Sequence, residues 1–187
     1  MTTRDRLVES TQELLWERGY VGTSPRAILD RAGVGQGSLY HHFAGKPELA
    51  LAAVHASAAE LSAKAEELLS LPGTAADRIA GFLCRERDVL RGCPIGGLTQ
   101  DPEILAMPAL HEPVRETLGR LRSRIAEVIA EGQLAGDVRA EVVPTELAAT
   151  IVAVLQGGYV LARAAGTREP FDAAVSGVLA LLTNPTS

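Results

Sequence analysis

Leu7, Val8, Thr11, Leu14 and Leu15 recur at helical spacing between Thr3 and Arg18, with charged residues around them, and predict an amphipathic first helix. Gly19 follows as its stop, and Trp16, Tyr20 and Val21 read as core residues. Thr23 or Ser24 caps a second helix with Pro25 in its first turn; Ile28 and Leu29 point inward and Gly33 ends it. A third helix of about two turns runs to Phe43. Lys46-Pro47-Glu48 opens a long fourth helix to Ser70, broken by Leu71-Pro72-Gly73. Thr74 and Asp77 resemble a capping box for a fifth over 75–90. Pro94 marks the start of a sixth, to 106, and Pro108 and Pro113 bracket a kinked join into a seventh over 112–134. An eighth from Pro144 to Ala165 and a ninth from Pro170 to Leu182 complete the pattern. Strand-forming runs of Val, Ile, Thr and Tyr are scarce, so the expected class is all-α, with about nine helices.

Composition narrows the classes. Of 187 residues 47% are hydrophobic and only 4% aromatic, and the net charge of −5 argues against a general nucleic-acid coat. The charge is uneven. Residues 1–46 hold six cations (Arg4, Arg6, Arg18, Arg26, Arg31, Lys46) against five acids (Asp5, Glu9, Glu13, Glu17, Asp30), whereas the remainder is acidic. Two cysteines, Cys84 and Cys93, are too few for a disulfide scaffold. The amino terminus lacks the apolar core of a signal peptide, and the longest apolar stretch, Leu147–Leu155, is about half a membrane span. A soluble cytoplasmic protein is expected.

The second and third helices, with the tight turn between them, form a helix-turn-helix. Leu39 and Phe43, spaced i,i+4, pin the third helix to the core and leave Gln36, Ser38, Tyr40 and His41 facing outward. Gln36 is suited to a bidentate pair with adenine, and Ser38 to a base or a phosphate. Gly37 permits close approach to DNA or the packing of a thymine methyl. Lys46, at the start of the fourth helix, is placed for a phosphate, and Arg4 and Arg6 for the backbone or minor groove. Adjacent helical residues diverge by about 100°, so His41 and His42 make no metal pair, and no metal site is expected.

Trp16-Glu17-Arg18-Gly19-Tyr20, Thr23, Ala32-Gly33-Val34, Gly37-Ser38-Leu39-Tyr40-His41-His42-Phe43 and Lys46 together resemble the TetR family of transcriptional regulators, over about a quarter of the chain. The corner Gly92-Cys93-Pro94-Ile95-Gly96-Gly97 is similar to one in the multidrug-responsive branch. The resemblance implies that Tyr40 and Thr23 donate hydroxyls to phosphates. It also implies that residues 1–46 are the DNA-binding domain and 47–187 a ligand-binding and dimerisation domain. Gln36 stands where many relatives carry Lys, so a base contact replaces a backbone contact there.

The apolar faces of the last two helices are too broad for one small core, and Leu147, Ile151, Val154, Leu155, Gly158, Val175, Val178, Leu179 and Leu182 are the expected dimer interface. By resemblance, a pocket for a mostly apolar small molecule lies among the fourth to eighth helices, lined by Phe82, Cys93, Ile95, Leu98, Met107, His111, Gln156 and Tyr159. Cys93 precedes Pro94 at an expected helix start, where peptide dipoles and Arg91 make a thiol more reactive; a redox- or electrophile-sensing repressor is the alternative. No nucleophile–base pair, metal set or phosphate loop argues for an enzyme, and no cofactor is expected. The reading is a homodimeric, ligand-responsive repressor of a palindromic double-stranded DNA operator.

Overall fold

The computed structural model describes residues 1–182, and these form helices with no strand among them. The helices are α1 (Thr3–Arg18), α2 (Pro25–Ala32), α3 (Gln36–His42), α4 (Lys46–Leu69), α5 (Ala75–Cys84), α6 (Pro102–Ala106), α7 (Pro108–Ala135), α8 (Pro144–Ala165) and α9 (Glu169–Leu182). A 3₁₀ turn covers Gly96–Gln100.

Several ends follow the local chemistry. Gly19 stops α1 at φ 69°, a conformation open mainly to glycine, and Ser24, not Thr23, caps α2 by accepting from the Ala27 amide. Thr74 and Asp77 form the capping box of α5. The middle of the chain departs from expectation. Helix α5 ends at Cys84, short of residue 90, because Arg87 Nη2 donates to the Phe82 carbonyl that a continuing helix would give to the residue-86 amide. Pro94 starts no helix. The chain turns through Gly96–Gln100, and Asp101 caps α6, its Oδ1 accepting from the Glu103 and Ile104 amides. Helix α7 begins at Pro108 and runs through Pro113, whose missing N–H forfeits one bond to the Ala109 carbonyl; the Thr117 hydroxyl donates to the Pro113 carbonyl at 2.6 Å.

By compactness the chain divides into two units: Met1–Leu61 with Cys93–Leu118, and Ser62–Gly92 with the chain from Gly119 onward. In the first unit Leu7, Leu14, Ile28, Leu39, Phe43 and Leu49 form a continuous core. Arg31 ties α2 to α1 through a fork of two hydrogen bonds to Glu17, at 2.9 and 2.8 Å. Tyr20 is buried, but Val21, expected in the core, is 56% exposed, and Trp16 is only half-buried.

In the second unit α8 and α9 pack along a seam of Ile151, Leu155, Tyr159 and Ala162 against Phe171, Val175, Val178 and Leu182. Arg78 donates to the Leu69 carbonyl and to Glu131, each at 2.6 Å, and Arg124 to Glu66 at 3.0 Å, joining the end of α4, α5 and α7. By length and composition α8 is apolar enough to cross a membrane, more than Leu147–Leu155 alone suggested. One side of it packs on α9.

Candidate nucleic-acid interface

The reader is built on a fixed frame. Gly33, at φ 62°, ends α2, and its amide and that of Val34 both donate to the Leu29 carbonyl. Gly35 begins α3 without a side-chain cap. Leu39 is 1% exposed and Phe43 buried beside it, as their spacing required. The opposite side of α3 therefore faces solvent. Gln36, Gly37 and His41 are exposed, Tyr40 is 59% exposed, and Ser38 is half-buried. Nothing lies within 4 Å of a β-carbon built on Gly37, so close approach by a partner is open there.

Between α2 and α3 is a recess of about 380 Å³ lined by Pro25, Arg26, Leu29, Gln36, Leu39 and Tyr40. Arg26 is a functional candidate that the sequence reading missed. It sits in the first turn of α2 with its side chain 92% exposed, held only loosely by Asp30 at 3.8 Å. Its signal was present: an arginine beside the cap of the first helix of the pair. Arg4, also exposed, stacks its guanidinium 5.3 Å from the Phe43 ring centroid at the end of α3.

Two expected phosphate contacts are placed differently. Thr23 is 1% exposed, and its hydroxyl donates to the Gly19 carbonyl at 2.6 Å, so it closes the α1–α2 turn instead of facing DNA. Lys46 Nζ donates to the Tyr20 carbonyl at 2.7 Å and lies 3.8 Å from the Tyr20 ring centroid. Its first role is to hold that turn. Burial, with Glu103 and Asp101 nearby, raises the Tyr20 phenol above its ordinary range.

The expected ligand residues fall in both units. In the first, Cys93, Ile95 and Leu98 are buried along the corner and its 3₁₀ turn, while Met107 and His111 are half-buried. In the second, Phe82 and Tyr159 are buried and Gln156 half-buried. Arg87 gathers aromatic rings there. Its guanidinium lies 5.7 Å from Phe82, 5.9 Å from Tyr159 and 5.5 Å from Phe171, and Nη1 donates to the Tyr159 hydroxyl at 2.9 Å.

The expected dimer residues need the largest correction. Ile151, Leu155, Gly158, Val175, Val178 and Leu182 are buried inside the protomer, in the α8–α9 seam, and Phe171 covers Gly158. Leu147, Val154 and Leu179 are half-buried. The exposed large apolar residues of α8 and α9 are instead Val160, Leu161 and Leu181, at 54–58%. No cluster of three or more metal-ligating side chains occurs among the described residues.

A short outward-facing helix pinned by its apolar side across a tight turn from a capped partner is a DNA-reading helix-turn-helix, carried on an all-helical fold. Residues 7–53 match the model for bacterial regulatory proteins of the tetR family, and residues 74–178 the tetracyclin repressor-like C-terminal domain. The chain belongs to the TetR family of DNA-binding transcriptional regulators. It is 28% identical over 178 residues to the HTH-type transcriptional repressor DhaR of Mycobacterium sp. (strain GP1), covering 90% of this chain and 86% of that one. A TetR transcriptional regulator from Chloroflexus aurantiacus superposes with a TM-score of 0.82 at 30% identity, covering 95% of this chain and 92% of that one. A cysteine mutant of the TetR-family regulator CifR, complexed with 26-base-pair operator DNA, has the same fold, with a TM-score of 0.80, 24% identity and 95% coverage of both chains.

Proposed function

We propose that this regulator is a homodimeric repressor that binds a palindromic operator and is released by a small, mostly apolar effector, acting in the cytoplasm. The observation that carries the DNA reading is the exposed face of α3, with Gln36, Ser38, Tyr40 and His41 flanked by Arg26 and Arg4 and backed by buried Leu39 and Phe43. Gln36 and Arg26 offer base-edge and phosphate chemistry beside the apolar recess; Tyr40 supplies a hydroxyl for the backbone.

The dimer reading rests on outward surface that the protomer does not cover. Only 33% of the most apolar window of α8 is buried. Val154, Gly157, Val160 and Leu161 share one side of that helix, and Gly177 and Leu181 lie on α9. Nothing lies within 4 Å of a β-carbon built on Gly157 or Gly177, so packing within the protomer asks for neither glycine. A second copy brought close at a two-fold axis would use both, and would set two readers on two half-sites. The effector needs a differential affinity of a few kcal/mol between two spacings of those readers. Repression follows most simply from steric block of the operator.

Selection of random duplex DNA on the purified protein tests this reading. An enriched inverted repeat bound by two protomers is expected; a single unrepeated site bound by one protomer refutes the dimer, and no enrichment refutes the reader.

A second reading has one specific observation in its favour. The Gly96 amide donates to Cys93 Sγ at 3.2 Å, which fixes the sulfur in the corner. Cys93 is then an oxidant or electrophile sensor, and Cys93→Ser abolishes release of DNA by such reagents while leaving DNA binding intact.

A further inference from the structure

Asp101 is 8% exposed, and its carboxylate faces two elements far apart in sequence. Oδ2 accepts from the Tyr20 amide at 2.7 Å and the Val21 amide at 3.0 Å, in the α1–α2 turn of the reader. Oδ1 accepts from the Glu103 and Ile104 amides at 3.1 and 3.2 Å, capping α6. The peptide at Tyr20 is held from both ends, since its carbonyl accepts from Lys46 Nζ. Gly19 completes the fit: a β-carbon there would stand 2.7 Å from Asp101 Oδ2.

Asp101 also ends a run of turn hydrogen bonds. The Gly96 amide donates to Cys93 Sγ, Gly97 to the Cys93 carbonyl, Leu98 to the Ile95 carbonyl and Asp101 to the Leu98 carbonyl. One carboxylate thus locks the Cys93–Asp101 corner and the reader's turn into a single arrangement. Opening the corner withdraws Oδ2 and leaves the Tyr20 and Val21 amides without their acceptor, which is costly for the buried Tyr20 amide.

We propose that Asp101 is a positioning residue that couples the Cys93–Asp101 corner to the reader, so that DNA binding and closure of the corner favour one another. This rests on the DNA-reading function above. Coupling of binding free energies is reciprocal, so it can be read from the corner with no effector in hand.

The readout is the rate at which iodoacetamide alkylates Cys93, which is 9% exposed, in a Cys84→Ser background that removes the exposed thiol. The probe is the duplex selected from random DNA, added at saturation. In the Asp101-intact protein the duplex is expected to slow alkylation about fivefold or more. In Asp101→Ser, which keeps an α6 cap but is too short to reach Tyr20, the duplex changes the rate by less than twofold. Asp101→Asn, which offers only one acceptor oxygen, behaves likewise should the serine variant fail to fold. Retained protection in a folded variant, or no protection in the Asp101-intact protein despite measured DNA binding, overturns the coupling. Absence of DNA binding in the Asp101-intact protein overturns the reader itself.

Discussion

A β-carbon built on Gly158 lies 3.0 Å from Phe171 Cδ2, while one built on Gly157 meets nothing within 4 Å. Two adjacent glycines therefore do different work. Gly158 admits Phe171 into the α8–α9 seam, and Gly157 opens toward whatever covers α8. Gly158→Leu is expected to lower the protomer's unfolding free energy by about 1–3 kcal/mol through overpacking. Gly157→Leu is expected to preserve helicity but shift the protein toward monomer. Circular dichroism melts and sedimentation equilibrium separate the two effects.

Tyr40→Phe removes one hydroxyl and little else, because the ring is 59% exposed. Loss of a phosphate hydrogen bond predicts a several-fold weaker operator affinity, about 1 kcal/mol, equal for cognate and scrambled duplexes. Fluorescence anisotropy on both duplexes measures it, and a loss confined to the cognate duplex would assign Tyr40 to a base.

Arg26 and Lys46 are expected to part company under salt. Arg26→Ala removes an exposed cation beside the recess and makes the log–log salt slope shallower by about 1 per protomer. Lys46→Met leaves that slope unchanged but lowers the melting temperature, since its ammonium is bonded to the Tyr20 carbonyl. A slope change in Lys46→Met would return that residue to the phosphate contacts.

Acid weakens the second unit by a traceable route. The Ser70 hydroxyl and then Arg124 hold the Glu66 carboxyl below its usual 4.5, and Arg78 does the same for Glu131. A carboxyl lowered on folding stabilises above its unfolded pKa, and that contribution is lost as pH falls through the folded value. Unfolding free energy should therefore drop below pH 4.5, and the drop should be smaller in Glu131→Gln. Both carboxylates are more than half exposed, so the effect of each is small, about 0.5 kcal/mol after solvent screening. Urea melts across pH 3–6 test the sign.

How far the sequence carried the account depends on the range of each interaction. Gly19, Ser24, Thr74 with Asp77, and the Leu39–Phe43 pair are local signals, and each helix end or buried face they mark is where the pattern put it, although α5 stops short of residue 90. Asp101-Pro102 is an equally local start signal for α6, but Pro94 drew the boundary eight residues early. The bond from Asp101 to Tyr20 spans 81 residues and has no local trace. On α8 and α9 apolar residues occupy both the seam and the outer side, so period alone could not tell Leu155 from Leu161. Thr23 and Lys46 illustrate a different limit: suitable donors in the right region, each already donating to a backbone carbonyl.

Gln36 is the residue through which the exposed face of α3 is proposed to read a base edge. Selection of random duplex DNA by the unaltered protein and by Gln36→Ala, side by side at one salt concentration, tests it most directly. The same inverted repeat is expected from both, with preference relaxed at one symmetry-related pair of positions in the variant. An unchanged preference at every position of the repeat would contradict it.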